Sequence, residues 1–339
     1  MEKFCLEKNG AVVRFLSDVP LKEYYQENYK KMEFFDAKVI SDNSDIEHCV
    51  IYRNLNSNSP LLLKKNEMHI NYPFEKLNES ILLYMGYHFF EKQFGEKGMC
   101  SCHSACVEKN GNATLLIGEA GAGKTSLAIN LCRNYDFSLI SNDLTLIGLD
   151  SDNKLKTFGG TKFINLRLDS VNQNMPYLSY LFSDVIKDSW SDKVSVCANE
   201  IGIQEQYNIC EIKNILYVHT DNRIKNILIK PGDSWRNNFL LYQNLSSHIR
   251  GQAATFIDKN GHPISYIPSF DTNQIYDNRM KIIKYIDDSP NYYSVNGNLK
   301  CILNFIVSLY NDSGKYIDLS DGGKNAEKRY YNKRWWKQF

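Results

Sequence analysis

Residues 115–131 read LLIGEAGAGKTSLAINL, and no other stretch constrains the fold so tightly. Gly118-Glu119-Ala120-Gly121-Ala122-Gly123-Lys124-Thr125 matches G-x-x-x-x-G-K-[ST] at every fixed position. The apolar run Ala113–Ile117 leads in as a strand, and Ser126–Leu131 leads out with apolar residues at helical spacing. Gly118, Gly121 and Gly123 can take positive φ and carry no Cβ, so successive amide hydrogens can turn inward around an anion. A helix starting near Lys124 adds its positive end to the same point. Lys124 then offers a mobile charge for β- and γ-phosphates, and Thr125 a hydroxyl for Mg²⁺. Gly118, Ala120, Gly121, Ala122, Gly123, Lys124, Thr125 and Ser126 are the expected nucleotide-contacting residues. A glycine turn that merely joins strand to helix is the rival reading, and the strand and helix on either side weigh against it.

The 339 residues suffice for two domains or one large one with an appendage. An apolar share of 43% with 13% aromatic residues can build a core, which excludes wholesale disorder. Lys+Arg 40 against Asp+Glu 39 argues against nucleic acid or an anionic membrane as the main partner. No run approaches 18 apolar residues, so no membrane span is expected. The opening MEKFCLEKNG has no signal-peptide core, and nine cysteines without pairing rhythm fit reduced thiols in the cytoplasm. Cys100-Ser101-Cys102-His103-Ser104-Ala105-Cys106 is the nearest thing to a metal cluster. It lacks a second Cys/His pair and reads better as a partly buried strand.

Residues 1–70 alternate short apolar runs (Ala11–Phe15, Lys38–Ile40, Cys49–Tyr52, Pro60–Leu63) with Asn/Asp/Ser punctuation, which predicts a small sheet with a helix over Leu21–Phe35. Tyr72–Phe94 has a helical apolar period, and His88 on it reads as a core histidine. Cys102–Val107 and Ala113–Ile117 flank the hairpin turn Lys109-Asn110-Gly111-Asn112. Phe137–Ser141 reads as the next strand, closing in Asn142-Asp143, Leu144–Leu149 continues apolar, and residues 171–211 read as polar and irregular, part helix and part mobile loop. Ile212–His219 and Ile224–Ile229 read as a strand pair joined by Thr220-Asp221-Asn222-Arg223. Helices are expected over Pro231–Asn244 and Leu299–Tyr310. The expected division is 1–95, a small α+β accessory domain; 96–317, an α/β domain around the glycine loop; and 318–339, a basic aromatic tail.

A phosphate loop needs a metal-binding carboxylate at the end of a neighbouring strand. Asp143, 18 residues beyond Thr125 after one helix and one strand, is the natural candidate, so Thr125 and Asp143 form the expected metal pair. An Asp at a strand end is otherwise a turn former or helix cap.

His103-Ser104-Ala105, GEAGAGKTSLA and Leu139-Ile140-Ser141-Asn142-Asp143 together resemble the HPr kinase/phosphorylase-like P-loop kinases, over about residues 99–170 and less closely to about 310. The resemblance implies a phosphoenolpyruvate-carboxykinase-like fold and an ATP- and Mg²⁺-dependent kinase. Members act on carrier proteins or on precursor peptides in peptide-modification clusters, and often assemble, which leaves room for a homo-oligomer. It implies that Lys124 binds the β/γ-phosphates, that Thr125 and Asp143 hold Mg²⁺, and that His103 borders the site. Gly159–Arg167 falls where some members place a substrate-facing loop, so Arg167 and Lys162 could touch a peptide, protein or small-molecule acceptor, with Arg236 a weaker candidate.

Well-studied members carry two adjacent Asp, the first acting as base; here the first is Asn142, whose amide cannot accept that proton. Three readings stay open. Asp143 does both jobs, the acceptor is already ionised, or the protein binds nucleotide as a switch or slow NTPase and transfers nothing. The tail Lys328–Lys337 interleaves basic and aromatic residues. It fits nucleic acid, a membrane surface, an acidic peptide, or a simple docked terminus.

Overall fold

The computed structural model describes residues 1–29, 37–42, 45–182, 193–250 and 255–311. The tail expected over 318–339, the end of the Leu21–Phe35 helix and the middle of 171–211 lie outside these.

The chain begins with β1 (Glu2–Lys8) and β2 (Ala11–Ser17), then α1 (Leu21–Asn28), β3 (Lys38–Ile40), β4 (Cys49–Arg53), β5 (Leu61–Lys64) and β6 (Glu67–Asn71). These strands form one sheet in the order β3-β1-β2-β4-β6-β5. The next helix, α2 (Glu79–Glu96), starts where Asn78 accepts from the Ile81 amide at 3.0 Å. A Cβ on Gly86 would overlap the Phe15 ring, so glycine lets α2 lie directly on β2.

A second, mixed sheet follows. It uses β7 (Met99–Lys109), β8 (Asn112–Ile117), then α3 (Lys124–Asn134), β9 (Ser138–Ser141), β10 (Leu144–Leu149) and β11 (Leu155–Gly160). A small hairpin of β12 (Phe163–Arg167) and β13 (Lys193–Cys197) carries α4 (Leu168–Asn174) between its strands. The chain returns through β14 (Cys210–Thr220), β15 (Leu228–Pro231), α5 (Trp235–Ser246), the short pair β16 (Thr255–Ile257) and β17 (Pro263–Tyr266), α6 (Asn273–Asp288), β18 (Tyr292–Gly297) and α7 (Leu299–Ser308). The sheet order is β11-β10-β7-β8-β14-β18-β15, with β9 on β7 and β11 curling round to touch β14. Strands β8, β14 and β18 run parallel, and β7 and β15 oppose them.

Both faces of this sheet are covered, as near-continuous apolar strands such as β8 require. Leu127 and Leu131 of α3 and Ile302 and Ile306 of α7 cover one face; Leu241 and Leu245 of α5 and Ile282 and Ile286 of α6 cover the other. Met85, Phe89 and Phe94 of α2 share a single cluster with Phe4 and Phe15 of the first sheet and with Leu144 and Leu146 of β10. The apolar core therefore runs across the boundary expected at residue 95. The α/β architecture agrees with expectation, as does the Asn110-Gly111 turn, whose φ values of 54° and 78° match a type I′ hairpin.

Two expectations are corrected. Ile212–His219 and Ile224–Ile229 do not pair: β18 lies between β14 and β15, parallel to one and antiparallel to the other. The described residues of 171–182 and 193–211 hold helical turns as expected but are not the polar stretch expected, because Val171, Met175, Leu178, Val196 and Ile201 are buried in the α3 face cluster. Their apolar positions fall on short elements with different periods, and no single periodicity accumulates.

His88 is buried on α2, and neither ring nitrogen has a hydrogen-bond partner among the described residues. Burial, with the nearby His248 as a lesser cause, pushes its pKa down to about 3; burial and Lys92 push His48 down to about 4. The folded state thus keeps both rings neutral where the unfolded chain, titrating near 6.5, takes up protons. Their contribution to stability is complete above pH 6.5 and is lost toward pH 3–4, at up to about 1.4 kcal/mol per pH unit for each ring. Thermal unfolding midpoints measured from pH 7.5 to 4.5 should fall, and fall less steeply in His88→Phe. Parallel curves for the two proteins would refute the assignment.

Candidate functional site

Strand β8 ends at Ile117, the glycine loop fills residues 118–123, and α3 begins at Lys124. The end of β14 is packed against both halves of the loop. A Cβ on Gly118 would lie 2.7 Å from the Val218 carbonyl oxygen, and one on Gly123 would overlap the Thr220 hydroxyl. Gly121 and Gly123 take φ of 80° and 91°, a region most side chains avoid. The Thr220 amide and hydroxyl both donate to the Ala122 carbonyl, at 3.0 and 2.5 Å. Helices α2, α5, α6 and α7 have a side-chain oxygen on a first-turn amide, whereas α3 starts at Gly123 without one. Its first amides keep their hydrogen-bonding capacity for something else.

Lys124 is only 8% exposed, and its ammonium donates to the carbonyls of Gly118 at 2.7 Å and Glu119 at 3.1 Å. Burial lowers its pKa, opposed by the charge of Asp143. Thr125 donates to Oδ1 of Asn142 at 2.9 Å, and Asn142, 3% exposed, takes its place from its backbone amide's bond to Thr161 O at 2.7 Å. The residue on the Thr125 hydroxyl is therefore Asn142, with Asp143 next to it. The Ser126 hydroxyl meets Ser170 of α4 at 3.0 Å.

Strands β9 and β10 follow one another along the same edge of β7, pairing at Cys106↔Ser141 and Leu144↔His103. Asn142-Asp143 is the break between them, and Asp143 makes it with a φ of 78°, its carbonyl accepting from Ser104 N at 3.0 Å. Such a break re-aims side chains. The Asp143 carboxylate meets His103 Nε2 at 3.3 Å, with the two side chains 39% and 43% exposed. Burial of the ring lowers the His103 pKa, and Lys124 adds to this while Asp143 opposes it. His103 is thus held toward its neutral form beside an accessible carboxylate.

At His103 the β7–β8 ladder has just ended, its last pair being Ser104↔Ile117. Asn244 of α5 completes the pairing that β8 leaves off. Its Oδ1 accepts from His103 N at 2.6 Å, and its Nδ2 donates to His103 O at 2.9 Å. Below the pair, Glu91 of α2 accepts hydrogen bonds from the hydroxyls of Tyr87 and Ser101.

Lys124, Thr125, Asn142, Asp143 and His103 converge where β8 and β9 end beside the middle of β7. Lys162 does not join them. It is buried and donates to the carbonyls of Leu139, Ile140 and Gln206, so the expectation that it meets an acceptor is corrected: its charge is spent on backbone carbonyls. Arg167 ends β12 opposite Lys193 and precedes α4, whose Ser170 reaches Ser126. Arg236 is exposed in the first turn of α5, and its charge, like that of Glu119, is felt at the Tyr217 phenol. Cys100, Cys102 and Cys106 are buried on β7 with thiol pKa values raised by burial. Among the described residues no three His, Cys, Asp or Glu side chains are grouped to hold a metal. Also among these, no helix is long and apolar enough to cross a membrane.

No protein-family profile matches the chain, and no curated protein matches it. The sequence reading missed Thr220 and Asn244. Thr220 follows a strand, which hinted at a site position; Asn244 had no local signal.

Replacing Lys162 by Met would leave three carbonyls without their donor, at a cost of about 2–4 kcal/mol. Urea unfolding should show that loss. An unchanged midpoint would mean the ammonium is not structural.

Proposed function

We propose that the chain is an ATP- and Mg²⁺-dependent phosphotransferase of the HPr-kinase-like kind, with a phosphoenolpyruvate-carboxykinase-like core, acting on a peptide, protein or small-molecule acceptor. One observation carries this reading: a buried lysine, the Thr125–Asn142 pair and the Asp143–His103 pair meet at an uncapped helix start behind a glycine loop with positive φ. Phosphoryl transfer asks for little covalent chemistry from a protein and much positioned charge, which this set provides.

The donors present suit Mg²⁺. The Thr125 hydroxyl, the Asn142 carbonyl and the Asp143 carboxylate are hard oxygen ligands, and the ion would supply neutralisation of charge on the phosphate oxygens. Lys124 exchanges the loop carbonyls it now holds for the β- and γ-phosphates of ATP. Gly121 has open space where a Cβ would stand, so a phosphate can approach the backbone there. Asp143 is the accessible carboxylate. It takes the proton of a hydroxyl acceptor as the acceptor oxygen bonds to phosphorus and the β–γ bridge breaks, while His103, protonated on Nε2, orients the carboxylate. ATP hydrolysis without transfer, as a nucleotide switch, is the second reading. Asn142 favours it, since a neutral amide on Thr125 binds a cation less strongly than a carboxylate.

Lys124→Ala should reduce transfer of the γ-phosphoryl group from labelled ATP by about a thousandfold while the chain still folds, with an unfolding midpoint lowered by the two carbonyls left without their donor. Full activity in that variant would end the phosphotransferase reading. Asn142→Asp separates the two readings: it should raise acceptor labelling in a kinase, whereas in a switch only the hydrolysis rate moves.

A further inference from the structure

We infer that Thr220, at the end of β14 and outside the glycine motif, is a positioning residue that orients the loop's Gly123 amide toward bound phosphate. The inference rests on the proposal that the loop receives a phosphate chain.

The argument begins with the peptide between Ala122 and Gly123. There are no cis peptide bonds in the described chain, so the Ala122 carbonyl and the Gly123 N–H point in opposite directions within one rigid plane. Whatever holds the carbonyl therefore aims the amide. Thr220 holds it twice, through its amide at 3.0 Å and its hydroxyl at 2.5 Å. Both bonds pull the carbonyl toward β14 and turn the Gly123 N–H away from the strand.

The same contact explains the residue at 123. Its φ of 91° and the missing room for a Cβ are two faces of one fit, because the Thr220 hydroxyl occupies the volume a side chain would need. Strand β14 is itself fixed, flanked by β8 through Tyr217↔Ile117 and by β18 through Thr220↔Gly297. Thr220 thus transmits the geometry of the sheet's centre to the loop. An amide preset in this way need not reorganise when an anion arrives, and preorganised donors bind more tightly than mobile ones. A threonine needed only to end a strand would tolerate valine, which has the same shape and branching but no donor.

The test is calorimetric titration of the full chain with Mg-ATP and, separately, with inorganic pyrophosphate. Wild type, Thr220→Val and Thr220→Ser are compared, with the thermal midpoint of each measured without ligand. Loss of one hydroxyl–carbonyl bond predicts about tenfold weaker binding of both ligands in Thr220→Val. The unliganded midpoint should hold within about two degrees, and Thr220→Ser should restore most of the affinity. Equal affinity in Thr220→Val and wild type would overturn the inference while leaving the phosphate site standing. So would a weakening that serine fails to rescue. A wild-type chain that binds neither ligand would overturn both this inference and the proposed function.

Discussion

The contact on which the site depends is the close approach of β14 to the glycine loop. A strand end that leaves no room for side chains at 118 and 123 forces glycine there, and the Thr220 bonds to Ala122 hold the turn between them. This approach is possible because β8 and β14 are parallel neighbours in the middle of a sheet covered by helices on both faces. Parallel strands end together. In open α/β sheets the carboxyl ends of such strands are where ligands bind.

A second constraint fixes the opposite wall. Strand β7 is long enough to pair with β10 over its first half and β9 over its second, and Asn142-Asp143 fills the step between them. Gly160 lies so close to the Leu144 carbonyl that a side chain there would overlap it, which holds the step from behind. The step separates two neighbours in sequence. Asn142 turns inward to Thr125, and Asp143 turns outward to His103. An amide in the first position therefore does not deprive the site of an accessible carboxylate. The carboxylate stands at the next residue, Asp143, paired with the His103 imidazole.

The parts of this arrangement written in contiguous residues were legible. Strand, glycine loop and helix at 113–131, the Asn110-Gly111 hairpin and the late helix at 299 all rest on local propensity and periodicity, and each stands where its pattern put it. What could not be read depends on partners far apart in the chain. The parallel pairing of β14 with β18 joins residues near 215 to residues near 292, so a plausible local hairpin at 212–229 masked it. Lys162 reads from the sequence as an acceptor contact because its three carbonyl partners lie 22 to 44 positions away. Thr220 and Asn244 reach Ala122 and His103 across 98 and 141 positions, with no motif to mark them. Geometry at a site comes from topology, and topology is the part of a fold that single-sequence patterns encode least.

The first hundred residues bear on the site through packing. Phe89 and Phe94 of α2 belong to the same apolar cluster as Leu144, the residue after Asp143, and Glu91 on the same helix bonds Ser101, two residues before His103. The helix thus bonds β7, which carries His103, and shares an apolar cluster with β10, which starts just after Asp143. Buried interiors are close-packed and transmit displacement, and α2 lies between the first sheet and these strands. The loop and the Asp143–His103 pair are accordingly anchored to different parts of the molecule: one to the centre of the large sheet, the other to the seam where the two sheets share a core.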